Sequence, residues 1–223
     1  MLRLDRITVD LAGASVLREV SAEMHAGTMV AVVGRNGAGK TTLLRTIMGL
    51  TKLKHGGAEF DGEKLHLMPA HHRARLGIGY APEDRVIFPT LTVRENLCLP
   101  CEAHGLGTAE INSRLSTVLD VAPQLRDMLP RAGAALSGGQ GKMVALGRAL
   151  MIGTRLVLLD EPYQGLAPAL ALQYGEALVR LRKVRPELCV VVTESNASLL
   201  RDMQDQTLTL ERGALQGAQP HST

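Results

Sequence analysis

Met29-Val30-Ala31-Val32-Val33-Gly34-Arg35-Asn36-Gly37-Ala38-Gly39-Lys40-Thr41-Thr42 reads as a buried strand that passes through a glycine-rich turn into a helix. Five uninterrupted apolar residues are the pattern of a strand covered on both faces. The glycines at 34, 37 and 39 let successive backbone N–H groups turn inward around an anion, and a helix opening at Lys40 adds the positive end of its dipole. The spacing matches G-x-x-x-x-G-K-[ST] in the strand–turn–helix setting the motif needs. There, Lys40 reaches the β- and γ-phosphates of a nucleotide and Thr41 offers its hydroxyl to Mg2+. The plainer alternative is a glycine-rich turn without a ligand, which leaves the register of strand, loop, Lys and Thr unexplained.

Working outward, Leu156-Val157-Leu158-Leu159-Asp160-Glu161 is an apolar run ending in two carboxylates. Such a strand places its terminal Asp at the carboxyl edge of the sheet, beside the phosphate loop. Alone the run is commonly structural. With the loop it makes a nucleoside-triphosphate hydrolase site, in which Asp160 holds the metal's water shell and Glu161 polarises the attacking water. Leu188 to Val192 repeats the buried-strand pattern, and Leu2 and Leu4, then Ile7, Val9 and Leu11, alternate as in half-buried strands. Helical periodicities lie between these runs. One spans about Lys40 to Leu50. Another follows Ala109, with Ile111, Leu115, Val118 and Leu119 on one face. A third starts near Pro168, with Leu170, Tyr174, Leu178 and Leu181 on one face and Pro186 as its stop. Arg180, Arg182, Lys183 and Arg185 at the end of this helix suit its dipole and read as a solvated face.

Buried strands alternating with helices predict an α/β fold with a mostly parallel sheet. From about 86 to 149 the pattern is helical without a clear buried strand, and Thr92-Val93-Arg94-Glu95 is a capping-box candidate. The expectation is one domain over 1–223. Its core is at about 1–85 and 150–216, a helical lobe is inserted at 86–149, and a polar tail at 217–223 frays.

Composition removes other classes. A chain of 223 residues can bury a sizeable core. A net charge of +3, with two Phe, three Tyr and no Trp, supplies neither the basic charge nor the stacking rings of a nucleic-acid binder. The longest uncharged stretch, Pro162 to Gly175, contains two Pro, two Gly and two Gln, so no membrane-crossing helix is expected. Arg3, Asp5, Arg6 and Asp10 fall where a secretory leader has its apolar core, which predicts a cytosolic chain. Three cysteines suit a reducing compartment. Cys98 and Cys101 form a C-x-x-C, but no second pair and no His at finger spacing supports a zinc site. His71 and His72 read as a solvated short helix or loop.

Leu136-Ser137-Gly138-Gly139-Gln140 precedes a helical pattern with Met143, Gly147 and Leu150 on one face. Ser and two glycines at a helix N-terminus make a second anion site, although the same residues also read as a loop and N-cap. Ser137 lies 97 residues after Lys40, and Gln140 lies 20 before Asp160. In this order and spacing the chain resembles the ABC-type ATPases over nearly its whole length. Gly79-Tyr80-Ala81-Pro82-Glu83-Asp84-Arg85, the run Ile87 to Leu97, the run Glu161 to Pro168, and Thr193-Glu194-Ser195-Asn196 are similar to the ATP-binding subunits of branched-chain amino acid importers. Subunits serving urea uptake have near-identical motifs.

The resemblance implies subunits that pair head to tail, with each ATP between one subunit's phosphate loop and the other's Leu-Ser-Gly-Gly-Gln loop. Gly34, Asn36, Gly37, Gly39, Lys40, Thr41, Thr42 and Glu83 would bind this chain's own ATP. Thr41, Asp160 and Glu83 would serve its Mg2+, and Glu161 and Lys40 would be catalytic. Ser137, Gly138, Gly139 and Gln140 would reach the partner's nucleotide. The implied partners are a second ABC subunit, the same chain or a different one, two transmembrane permease subunits and, indirectly, a solute-binding protein. They would hold the chain at the cytoplasmic face of the inner membrane, with the helical lobe receiving a permease helix. Three positions depart from the common pattern. Glu83 stands where most have Gln, Ser195 occupies the switch position where many have His, and Leu11 falls near where an aromatic stacks on adenine. Two other classes stay open here. Soluble ABC proteins of DNA repair or translation carry long coiled-coil insertions or two ATP modules, and this sequence has neither. For a nucleotide-gated subunit of little turnover, Ser195 speaks in favour and Glu161 against.

Overall fold

A computed structural model of the chain describes residues 1–201 and 203–216. The tail at 217–223 lies outside the described residues. The chain opens with two long antiparallel strands, β1 (Leu2–Leu11) and β2 (Ala14–Met24), joined by a tight hairpin. The break in the apolar alternation between Leu4 and Ile7 is a bulge: the strand register shifts there and Arg6 takes φ +42°. The extra residue returns Ile7 to the core side. Leu2, Leu4, Ile7 and Val9 are all buried, whereas Leu11, expected on the same face, is 42% exposed at the hairpin end.

All five residues of β3 (Met29–Val33) are buried, and the chain then turns into α1 (Lys40–Ile47). This helix stops short of the expected Leu50 because Gly49 adopts φ +77° just after the C-cap. β4 (His55–Phe60) and β5 (Glu63–Lys64) complete an antiparallel sheet of order β2-β1-β4-β5. A short α2 (Ala70–Arg73) exposes His71 and His72 and leads to β6 (Ile78–Ala81).

From there the chain is helical: α3 (Val93–Ala103), α4 (Thr108–Val121), short 3-10 turns, and α5 (Gly138–Ile152). Thr92 caps α3 with a complete capping box. Its N–H donates to Glu95 Oε2 at 2.7 Å, and the Glu95 N–H donates to Thr92 Oγ1 at 3.2 Å. Sequence periodicity gives α5 one buried face, but the structure buries it almost all round. Val144, Ala145, Leu146 and Met151 join Met143, Gly147 and Leu150, because α3 packs on one side and β6 on the other.

The chain then runs through β7 (Leu156–Asp160), α6 (Pro168–Val184), β8 (Cys189–Glu194), β9 (Gln206–Glu211) and β10 (Ala214–Gln216). The second sheet has the order β10-β9-β3-β8-β7-β6, parallel from β9 to β6, with β10 antiparallel at the edge. This is the expected α/β fold with a mostly parallel sheet and a separate antiparallel sheet. One core cluster lies between the parallel sheet, α3 to α6 and their connections. The other joins its opposite face to α1 and the antiparallel sheet.

At the basic end of α6, Arg182 and Lys183 are exposed, as on the solvated face read in sequence, and Arg185 departs from it. Arg182 pairs with Asp205 at 2.8 Å, and the half-buried Arg185 donates to the carbonyls of Leu150 (3.2 Å) and Gly153 (2.9 Å). It thereby places a cation at the C-terminus of α5, where the dipole favours one. No helix among the described residues is long and apolar enough to cross a membrane.

Candidate active site

β3, β8 and β7 are parallel neighbours, with Val33 opposite Glu194 and Thr193 opposite Asp160. Their C-terminal ends therefore bring three segments to one sheet edge: the loop after Val33, the Asp160–Glu161 pair, and Thr193 to Ser195. In the loop, Gly37 and Gly39 have φ of +80° and +107°, and Gly39 caps α1. A side chain at Gly39 would come within 2.9 Å of Leu17 Cδ2 and 3.0 Å of the Val16 carbonyl, so both conformation and space demand glycine.

Lys40 is only 4% exposed. Its Nζ donates to the carbonyls of Gly34 (2.5 Å) and Arg35 (3.2 Å), lies 3.2 Å from Ser195 Oγ, and pairs with Glu161 Oε1 at 2.9 Å. The ammonium thus spans the loop and reaches the two carboxyl-edge segments. Asp160 is buried and accepts from three hydroxyls: Thr193 Oγ1 at 2.8 Å, Thr41 Oγ1 at 3.1 Å and Tyr80 OH at 3.2 Å. Burial pushes its carboxyl above the usual carboxylate range, and those hydroxyls pull the other way. The site reading missed Tyr80, whose phenol is pushed above its ordinary value by burial and by the Asp160 charge.

Glu161 has φ +45°, a left-handed conformation that costs a non-glycine residue roughly 1–3 kcal/mol. Several contacts hold it there. Its N–H donates to Thr193 Oγ1 at 3.0 Å, and its carboxylate lies 2.8 Å from Ser195 Oγ and accepts from the Ser195 N–H at 3.3 Å. Its own carbonyl accepts from Lys142 Nζ at 2.5 Å. Ser195 Oγ is also 2.7 Å from Asn36 Oδ1, so Asn36, Lys40, Glu161 and Ser195 form one network.

Sequence reading gave Glu194 no role. It is 2% exposed, and its Oε1 accepts from the Tyr163 N–H at 2.9 Å. Burial, with Glu161 close by, pushes its carboxyl up to about 7. The signal that singled out Asp160, a carboxylate ending a buried strand, is present at Glu194 too.

Glu83 is exposed and follows β6. It lines a cleft of about 650 Å³ with Thr41, Tyr80, Asp160, Gly138 and Lys142. Thr42, on α1, does not line that cleft. Ser137 caps α5: its Oγ accepts from the Gln140 N–H at 3.3 Å, and Gln140 Oε1 accepts from the Ser137 N–H at 3.0 Å. Gly138 reaches the cleft, while Ser137, Gly139 and Gln140 do not. A Cβ at Gly139 would sit 2.3 Å from Leu170 Cδ1, so the leucine side chain packs directly against this glycine. Leu11 stands exposed at the β1–β2 hairpin.

The three cysteines are buried, and burial pushes their thiols up, Cys189 to about 11. No group of three or more His, Cys, Asp or Glu that could hold a metal is assembled among the described residues. The Thr41 hydroxyl and the Asp160 carboxylate suit a small hard cation such as Mg2+, which takes one or two protein oxygens and fills its octahedron from phosphate and water.

The ABC transporter family matches residues 17–164. The chain belongs to that family. It is 35% identical to the high-affinity branched-chain amino acid transport ATP-binding protein BraG of Pseudomonas aeruginosa, over 96% of this chain and 91% of that one. It is 32% identical to the probable branched-chain amino acid transport ATP-binding protein LivF of Archaeoglobus fulgidus (96% and 89%). It is 30% identical to the lipopolysaccharide export system ATP-binding protein LptB of Haemophilus influenzae (96% and 88%). A solved ATP-binding subunit of an ABC transporter superposes with a TM-score of 0.84 at 28% identity, covering 96% and 88%. A dimeric ATP-binding cassette bound to ADP and Pi has the same fold, with a TM-score of 0.84 at 24% identity and 97% of each chain. As an ABC-family member, this chain is an ATP-binding subunit and an ATPase coupled to transport.

Proposed function

We propose that the chain energises an importer for branched-chain or other hydrophobic amino acids, and that the Lys40–Glu161–Ser195 network beside Asp160 is its hydrolytic centre. The observation carrying the catalytic reading is the buried 2.9 Å pair of Lys40 and Glu161 at the mouth of the phosphate loop. The solute class rests on similarity to BraG and LivF. The loop's inward N–H groups and Lys40 bind the β- and γ-phosphates of ATP. As Lys40 turns to phosphate, the Glu161 carboxylate is freed to orient a water and take its proton. Thr41 and Asp160, with Glu83 lining the same cleft, would hold Mg2+, which would supply charge neutralisation at the phosphate oxygens. Ser195 lies close enough to the phosphate end of Lys40 to act as a short switch residue.

Ser137, Gly138, Gly139 and Gln140 serve the γ-phosphate of a partner subunit. Two permease subunits anchor the pair at the cytoplasmic face of the membrane, and a solute-binding protein delivers the solute from the other side. The test is uptake of radiolabelled leucine in cells expressing the chain with the permease genes beside its own. Uptake that Lys40→Ala removes supports the assignment. Urea uptake lost in its place would move the chain to the amide importers, and normal leucine uptake with the variant would refute the role.

A further inference from the structure

Lys142 and Glu194 have no role in the chemistry just described, yet both grip the segment that carries Glu161. Lys142, on α5, lies four residues beyond Gly138, one turn along the same face. Its ammonium donates to the Glu161 carbonyl at 2.5 Å. That carbonyl belongs to the residue at φ +45°, whose conformation persists only if its surroundings enforce it. Close to Lys142, Glu194 on β8 accepts the Tyr163 N–H at 2.9 Å, and the Tyr163 ring packs edge-on against Tyr174 of α6, with centroids 5.4 Å apart. The segment 161–163 is thus held at its first carbonyl by α5 and at its third N–H by β8.

We propose that Lys142 and Glu194 are positioning residues that fix the Glu161 carboxylate, and that through Lys142 the helix lent to the partner's ATP bears on this chain's own hydrolytic centre, given Glu161 as the base as proposed above. A helix transmits displacement as a stiff rod. A shift at Gly138 when the partner's γ-phosphate arrives is carried one turn to Lys142 and from there to the Glu161 peptide. Displacing a reacting group by about 1 Å can cost about 10²-fold in rate.

The experiment is steady-state ATP turnover by the purified full chain, with Lys40→Ala as control. Lys142→Met, which keeps side-chain bulk and removes the donor, is expected to lower kcat about 10- to 10²-fold, with KM for ATP moving less than about threefold. Lys142→Arg keeps a donor and a charge and stays within about threefold of the wild type. Glu194→Leu lowers kcat in the same way. Glu194→Gln, whose amide oxygen still accepts from Tyr163, does not, and this second pair decides the matter alone if Lys142→Met does not fold. The Hill coefficient for ATP falls in Lys142→Met, as expected when two coupled sites are uncoupled. Unchanged kcat in Lys142→Met or Glu194→Leu, or Lys142→Arg as slow as Lys142→Met, overturns the positioning role. An unchanged Hill coefficient overturns the link to the partner's site. Turnover in the wild type that persists in Lys40→Ala refutes the hydrolytic centre itself.

Discussion

At the scale of single residues, Lys40 and Glu161 satisfy one another at 2.9 Å, and the phosphates of ATP compete for the same ammonium. Lys40→Ala therefore removes the charge on the β- and γ-phosphates and leaves a nearly buried carboxylate without its cation. ATP binding or turnover should be lost, as measured by nucleotide titration and phosphate release. Glu161→Gln keeps shape and loses basicity. ATP should still bind, and turnover should fall about 10²- to 10⁴-fold, the usual loss for a general base. Glu194 makes a prediction about stability. Its carboxyl is held up to about 7, above the ordinary glutamate value of 4.5. Between those values the folded chain keeps a proton that the unfolded chain has released, so stability falls as pH rises through the window. Glu194→Gln removes that dependence. The variant's melting temperature minus that of the wild type should grow more positive from about pH 5 to pH 8, and a constant difference would contradict the assignment.

Secondary-structure elements differ in how much of their role a sequence can announce. The capping box at Thr92 and Glu95 was legible because all of its partners lie within four residues. Thr92→Ala should cost about 1 kcal/mol, which thermal unfolding would show as a shift of about 2–4 °C at this chain length. The buried strands β3, β7 and β8 were equally plain, as uninterrupted apolar runs. β6 and β9 were not: Ile78-Gly79-Tyr80-Ala81 is short and glycine-containing, and β9 alternates threonine with leucine beside the edge strand β10. Arg185, just past the end of α6, was misread for a different reason. Arg185 finds its partners in carbonyls 32 and 35 residues away, a relation no local pattern carries. In the candidate site, Lys40, Thr41, Asp160 and Glu161 followed from motif spacing, whereas Tyr80 and Lys142 enter only because a neighbouring strand and a helix bring them in. For α5, Ser137→Arg places a bulky cation at the N-terminus proposed to serve the partner. Activity of the assembled complex should fall more than ATP affinity of the isolated chain, and a loss of that affinity would show Ser137 acting on its own subunit's nucleotide.

For the whole molecule, two copies or a copy and a homologous subunit would trap ATP between them, and slow hydrolysis should preserve that pairing. Glu161→Gln with ATP should elute earlier from a sizing column than the same variant with ADP. Identical elution would argue against nucleotide-driven pairing. The buried cysteines bear on how such pairing could be watched. Cys98, Cys101 and Cys189 are enclosed in the two cores, and desolvation opposes formation of the thiolate at each. Alkylating reagents attack the thiolate, so the native fold should be nearly silent to maleimide at neutral pH. A single cysteine introduced on the exposed face of α6 would then accept a spin label or fluorophore at that position alone, without first removing the natural thiols. Conversely, uptake of maleimide by the unmodified chain would mark each excursion that opens its core, making the three thiols a built-in clock for unfolding.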